Sequence, residues 1–150
     1  MHVILKALSS AALLLTITSA SLAAQRGTPD PERAATRQIL LELGNFLQTG
    51  NWVKADSAFA ARGVHVLADT MAYHSWAEYR DKTLKPELEK LSGLKVANTG
   101  VESVVRGDVA WIAFRQEIGG SSGMAKVARG TAVLEKREGR WVIVHYHVSH

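Results

Sequence analysis

Cysteine is absent from this 150-residue chain. Its absence excludes structural disulfides, a thiol nucleophile and a lipid-modified cysteine behind an export leader. The stability of the fold must therefore come from packing, and any chemistry must come from other side chains.

Neither sign of charge is in large excess, because 18 lysines and arginines stand against 14 acidic residues and give a formal net charge of +4. The basic residues from Lys90 to Arg140 are scattered and are not interleaved with aromatic side chains. Proteins that bind single-stranded nucleic acid combine clustered basic residues with interleaved aromatic side chains in one groove. We therefore predict no nucleic-acid partner.

The first 24 residues have the layout of a secretory signal peptide, with a short basic start, an apolar run over 7–18 and small residues over 19–24. A membrane anchor is the alternative, but it requires about 20 apolar residues. We predict cleavage after Ala23 or Ala24, a linker over 25–31, a secreted or periplasmic location and no membrane attachment after cleavage.

Helical periodicity dominates the first half of the remaining chain, whose length suits one domain. Asn51 and Ser75 are placed to cap the second and third helices, and Pro86 interrupts the third or begins its second half. A short strand over 64–68 and a turn or second short strand over 69–74 precede the third helix. The first two helices are predicted over 32–47 and 52–61.

From Gly93 onward the apolar residues recur with period two, as in strands. Turn residues divide this part into four predicted strands, over 94–105, 109–118, 124–136 and 140–149. Helices followed by an antiparallel meander predict an α+β fold with the helices on one face of a curved sheet. Such a sheet forms a cone with an open end.

The final strand, residues 141–150, carries no charged side chain on either of its alternating faces, apart from its histidines. A half-buried strand alternates apolar and polar residues, so this strand is expected to be covered on both faces. The helices of the chain would cover one face, and a second subunit would cover the other.

The order of elements, the strand over 107–114 and the closing hairpin over 133–149 resemble the nuclear transport factor 2-like superfamily. Within it the chain is most similar to the SnoaL-like proteins, and its last hairpin to the association domain of calcium/calmodulin-dependent kinase. The resemblance implies a SnoaL-like domain over 32–150, with about three helices packed on a mostly antiparallel sheet and dimerisation through the outer sheet face.

The resemblance leaves the function open, because the superfamily contains isomerases, cyclases, hydrolases, dehydratases, association domains and transport adaptors. The kinase association domains have arginines in their pocket, whereas the matching positions here are Gln116, Ala132 and Val148. The ketosteroid isomerase-like members use a carboxylate base, and no acidic residue falls on the matching strand faces.

Strand alternation predicts which side chains line the cone and which face outward. The predicted ligand-binding residues are Phe114, Gln116, Ala132, Tyr146 and Val148. The predicted interface residues on the outer face are Trp111, Arg115, Arg129, Trp141, His145 and His147.

His145 and His147 point the same way from one strand and are the candidate metal ligands, since imidazole suits zinc or copper. A metal site needs a third and usually a fourth ligand, which the sequence does not supply. We predict neither a metal nor another cofactor, and interpret the two histidines as interface or core residues.

The segment between the second and third helices offers the candidate catalytic residues Asp69, Tyr73 and His74, and the third helix adds Tyr79. The alternative is ordinary turn chemistry for the first three and a core position for Tyr79. The leading hypothesis is an exported homodimer that binds a small, largely apolar ligand. An acid/base isomerase, cyclase or hydratase and a non-catalytic association module are the alternatives, so catalysis stays open.

Overall fold

The computed structural model describes residues 30–121, 123 and 126–150. The signal peptide, its cleavage site and residues 25–29 of the linker lie outside the described residues, so those expectations stay predictions. Met124, where the third long strand was expected to begin, also lies outside them. Within the described part of the chain, no helix combines the length and the apolar character that crossing a bilayer requires.

Two helices open the described chain, and polar side chains define where each begins. Helix α1, Pro31–Thr49, starts where the Asp30 carboxylate accepts a hydrogen bond from the Glu32 backbone N–H, and ends at Gly50 in the left-handed conformation. Helix α2, Trp52–Ser57, is capped by the side chain of Asn51. It is shorter than predicted, because residues 58–60 leave the helix and bond to Ile143 of the last strand.

The third helical segment, α3, covers residues 76–88 and contains a wide turn. It consists of Trp76–Tyr79, a π-helical turn Arg80–Leu84 and the α-helical turn Lys85–Leu88. Proline has no N–H and its ring collides with the carbonyl four residues earlier in a regular α-helix. The π-helical turn ends at Leu84, and Pro86 lies in the first turn of the α-helical segment that begins at Lys85, where a proline is tolerated.

Six strands form one mixed sheet in the order β2-β1-β6-β5-β4-β3. Consecutive long strands pair antiparallel, as does β1 with β2, whereas β1 pairs parallel with β6. The predicted α+β class and the meander are confirmed. Strand β6 pairs with β5 and β1 along its two edges, and cover of its outer face by a second subunit stays a prediction. The strands are β1 His65–Ala68, β2 Met71–Tyr73, β3 Lys95–Arg106, β4 Val109–Gly119, β5 Lys126–Arg137 and β6 Arg140–Ser149.

A bulge in β6 changes which side chains face the helices. His145 pairs with Val133 and Ile143 with Leu134, so Val144 has no partner of its own in β5. The extra residue reverses the alternation, and Trp141 and Ile143 turn toward the helices instead of outward. The expected outward position of Trp141 is therefore wrong.

Trp141 instead joins the last strand to the first helix. Its side chain is 6% exposed, and its indole N–H donates to a carboxylate oxygen of Glu32. Lys136 of β5 donates to the other oxygen at 2.7 Å. These hydrogen bonds hold the pKa of Glu32 below its ordinary value, that of Lys136 being the larger cause. The start of α1 is thus tied to the β5–β6 hairpin.

Two glycines allow close approaches that set the shape of the cone. A Cβ on Gly44 of α1 would lie 2.9 Å from the backbone nitrogen of Asn98 in β3, so this glycine lets the helix lie directly on the strand. A Cβ on Gly130 of β5 would lie 2.2 Å from the ring of Phe114. Phe114 can therefore lie flat across the sheet only while residue 130 is glycine.

We expect Gly130→Ala to lower the free energy of unfolding by about 1–3 kcal/mol, the usual cost of overpacking a well-filled core. Denaturant unfolding of purified protein measures the change. Thr131→Ala, at the exposed neighbouring position, is the matched control and should have little effect. Phe114→Leu should remove most of the added cost of Gly130→Ala, and equal costs in both backgrounds would contradict the proposed clash.

Candidate functional site

Aromatic rings fill the inner part of the cone. Phe59 and Trp76 stack with their centroids 3.9 Å apart, and Phe114 stacks on Tyr146 at 5.6 Å. Tyr146 also meets Phe59 and Trp76 edge-on, and Tyr79 packs against Trp76 and Tyr73. The space between α3 and the middle of the sheet is therefore solid core, and Phe114, Ala132 and Tyr146 are buried within it.

The open end of the cone keeps a cavity of about 310 Å³, between α3 and the ends of β4, β5 and β6. Of the five residues predicted to bind a ligand, Gln116 and Val148 line it, whereas the other three do not. The apolar lining consists of Leu84, Leu88, Leu91, Ile118, Gly119 and Val148, and the polar lining of Tyr79, Glu87, Lys90, Gln116, Lys126 and His150.

A chain of hydrogen bonds holds the side-chain amide of Gln116, the most buried polar group in the lining of this cavity. Asn98 of β3 donates from its amide nitrogen to the backbone oxygen of Leu40 at 2.7 Å. Gln116 of β4 donates to the amide oxygen of Asn98 at 3.2 Å and to the phenol oxygen of Tyr146 at 2.9 Å. Helix α1 and strands β3, β4 and β6 therefore meet in one buried polar network.

Two tyrosines, Tyr146 within the network and Tyr79 beside it, remain neutral phenols at physiological pH. Burial is the largest cause that raises the pKa of Tyr79, and the negative charge of Glu87 adds to it. Burial also raises the pKa of Tyr146, against the smaller opposing effect of its hydrogen bond with Gln116. Neither side chain suits the role of a base, and Tyr79 is the one that lines the cavity.

Of the four candidate catalytic residues, only Tyr79 lines the cavity, and the ring of Tyr73 packs against the Tyr79 ring. The Tyr73 hydroxyl lies 2.6 Å from the Thr83 hydroxyl, at the base of α3. The His74 backbone N–H donates to Glu78 at 2.9 Å in the cap of α3. Tyr79 lines the cavity, and Asp69 lies in the β1–β2 turn with a positive φ of 49°.

Sequence reasoning missed His150, which lines the cavity and is held by Asp69. The Asp69 carboxylate accepts from the backbone N–H of His150 at 3.0 Å and lies 3.2 Å from its ring Nδ1. The backbone hydrogen bond, followed by that of the ring, keeps the pKa of Asp69 below its ordinary value. The parallel pairing of β1 with β6 creates this contact, and no local pattern announces that pairing.

The outer sheet face carries the other predicted interface residues. Trp111 is 48% exposed, Arg115 and Arg129 pair across β4 and β5, and His145 and His147 lie half-buried on β6. Burial lowers the pKa of His145, and its histidine neighbours lower it further. Across residues 30–121, 123 and 126–150, no three histidine or acidic side chains are arranged to hold a metal ion.

A second, wider groove of about 500 Å³ lies between α2 and the start of α3. Its central acid, Asp56, is already used: it accepts from the indole N–H of Trp76 at 2.8 Å and from Arg80 at 2.5 Å. Arg80 also pairs with Asp81. These contacts serve the packing of α3 against α2, so the cavity at the open end is the better candidate site.

Comparison of the structure with solved structures finds the same fold in many proteins. A candidate ketosteroid isomerase from Shewanella frigidimarina NCIMB 400 is 24% identical, with a TM-score of 0.63 over 75% of this chain and 92% of that one. A nuclear transport factor 2-like protein of unknown function from Pseudomonas putida KT2440 is 13% identical, with a TM-score of 0.69 over 79% and 86% of the two chains.

A candidate dehydratase of the nuclear transport factor 2-like family from Streptomyces avermitilis is 16% identical, with a TM-score of 0.68 over 81% of this chain and 97% of that one. At such identities the likeness shows the fold alone. No curated protein is significantly similar in sequence. The model of the SnoaL-like domain family matches residues 37–150, which include the cavity and the whole sheet. The chain therefore belongs to the SnoaL-like domain family and has the nuclear transport factor 2-like fold.

Proposed function

We propose that this domain binds a small, largely apolar ligand in the cavity at the open end of its cone. The observation that carries the proposal is a space of about 310 Å³ whose lining combines five aliphatic side chains with one buried amide, that of Gln116. Small-molecule sites combine apolar walls with a few fixed polar groups in this way, and start at about 300 Å³. The leader sequence supports export, so the ligand would be met outside the cytoplasm.

Acid/base catalysis is the second candidate, and the Asp69–His150 pair is the observation that favours it. A carboxylate bonded to one ring nitrogen orients an imidazole for proton transfer at the other nitrogen. His150 is exposed at the rim, however, and no carboxylate lies at the base of the cavity among the lining residues. Ligand binding is therefore the better supported function.

We expect octanoate, used as a probe, to shift the NMR signals of Gln116, Ile118 and Val148 in the folded protein. Leu91→Trp should weaken this binding at least about tenfold, because the larger side chain fills the rim of a small site. Leu41→Trp is the matched control, since Leu41 on α1 is 41% exposed and Leu91 is 38% exposed. Shifts that cluster around Trp76 and Arg80, or equal weakening by both variants, would contradict the proposed site.

We also propose that the domain forms a homodimer through the outer sheet face. Three exposed apolar side chains on this face, Val109, Trp111 and Val127, support the proposal, together with the half-buried His145 and His147. Aromatic residues and arginines are enriched at protein interfaces, and Arg115 and Arg129 lie on the same face. A non-catalytic association role would use this surface alone.

Light scattering at about 50 µM should report a dimer, a concentration at which a specific homodimer is populated. Trp111→Lys should raise the dimer dissociation constant at least about tenfold, since a central aromatic residue typically dominates such an interface. His145→Ala with His147→Ala should weaken the dimer as well. Val53→Lys, on the exposed side of α2, serves as the control for added charge. A monomeric wild-type protein at this concentration would refute the dimer.

A further inference from the structure

The side-chain amide of Gln116 has only one orientation that its neighbours allow. The Leu40 carbonyl can only accept, so the Asn98 group facing it must be the amide nitrogen. The Asn98 oxygen then faces Gln116, which must present its own nitrogen. Reversing either amide would place oxygen against oxygen, so the backbone of α1 determines the polarity of a group on β4.

This orientation leaves the Gln116 carbonyl oxygen directed away from the network. The two N–H groups of the amide point to Asn98 and Tyr146. Among residues 30–121, 123 and 126–150, no group donates a hydrogen bond to the Gln116 carbonyl oxygen. No buried side-chain nitrogen or oxygen in the same residues lacks a partner, so this oxygen must reach accessible space. Gln116 is 3% exposed and lines the cavity, which is therefore the space it reaches.

A buried carbonyl oxygen imposes a definite demand on whatever lies against it. A ligand group that donates a hydrogen bond satisfies it, whereas an alkyl end leaves the acceptor unpaired at a cost of about 1–3 kcal/mol. A carboxylate at the same place adds repulsion between two acceptors. The inner end of the cavity therefore favours a hydrogen-bond donor, and because burying an unpaired charge is costly, an uncharged donor such as a hydroxyl or an amide N–H fits best.

The rim of the cavity has the opposite character. Lys90 and Lys126 line it and form no ion pair among the described residues, and His150 lies beside them. Glu87 is the one acidic residue of the lining. Asp69, which holds His150, adds a second carboxylate near the rim and feels the charge of Lys126. The ammonium groups of Lys90 and Lys126 are the groups that can bind a negative charge at the outer end of a bound molecule.

We infer that the ligand is an amphiphile with a neutral hydrogen-bond donor at its inner end, an apolar middle and an anionic outer end, as in a hydroxylated medium-chain carboxylate. This inference rests on the proposed function and specifies its ligand class. The donor is recognised by the Gln116 oxygen, the apolar middle by Leu84, Leu88 and Val148, and the anion by Lys90 and Lys126.

Calorimetric titration with four eight-carbon probes tests the inference on the wild-type protein. We expect ω-hydroxyoctanoate to bind most tightly, and octanoate about tenfold more weakly because it leaves the Gln116 oxygen unpaired. Octanediol, which lacks the anion, should lose the contribution of the lysines, and octanedioate should bind most weakly. Phenylbutyrate and its para-hydroxy derivative repeat the hydroxyl comparison on an aromatic body.

Gln116→Met keeps the length of the side chain and removes the acceptor, so it should reduce the preference for the hydroxylated probe of each pair to about twofold or less. Lys90→Gln with Lys126→Gln should leave the hydroxyl preference intact and abolish the preference for ω-hydroxyoctanoate over octanediol. Circular dichroism spectra matching the wild type establish that each variant is folded.

Two outcomes separate failure of the inference from failure of the proposed function. If octanoate binds in the cavity as tightly as ω-hydroxyoctanoate, and phenylbutyrate as tightly as its hydroxy derivative, the donor requirement is overturned while the ligand site stands. If none of the probes binds at millimolar concentration, the proposed function fails and takes the inference with it.

Discussion

The hydrogen-bond chain from the Leu40 carbonyl through Asn98 and Gln116 to Tyr146 is the constraint on which the rest of this structure depends. Each member is buried, and each would be costly to leave without a partner. The chain forms only because Gly44 lets α1 approach the backbone of β3 at Asn98. The absence of a Cβ at Gly44 of α1 thus determines the orientation of the Gln116 amide on β4.

The same constraint divides the cone into a solid part and an open part. Below the chain the stacked rings of Phe59, Trp76, Phe114 and Tyr146 exclude a ligand, and the space taken by Phe114 is made available by Gly130. Beyond it the cavity opens between α3 and the strand ends. Members of this fold differ widely in function, and how far the inner cone is filled decides what a given member can hold.

Local sequence signals predicted much of the fold, because its elements are defined by local chemistry. Asn51 and Ser75 cap helices as expected, and the period-two pattern after Gly93 corresponds to four long strands. The π-helical turn before Pro86 follows from the shape of proline, although its residues could not be specified in advance. The resemblance to SnoaL-like proteins is confirmed by the family match.

The candidate site was harder to predict, because it depends on contacts between distant residues. One extra residue at Val144 reverses the faces of Trp141 and Ile143, and strand alternation carries no sign of it. Strand parity placed Phe114 and Tyr146 on the inner face correctly, but it could not show that they pack into a core. His150 enters the cavity through the parallel pairing of β1 with β6, which joins segments about eighty residues apart.

A crystal structure of the protein with ω-hydroxyoctanoate is the most direct test of the claim that the Gln116 oxygen and the rim lysines define the ligand. The account predicts the hydroxyl oxygen at about 2.8 Å from the Gln116 carbonyl oxygen and the carboxylate beside Lys90 and Lys126. A molecule bound in the reverse direction, with its carboxylate at Gln116, or bound in the groove beside Trp76, would contradict it.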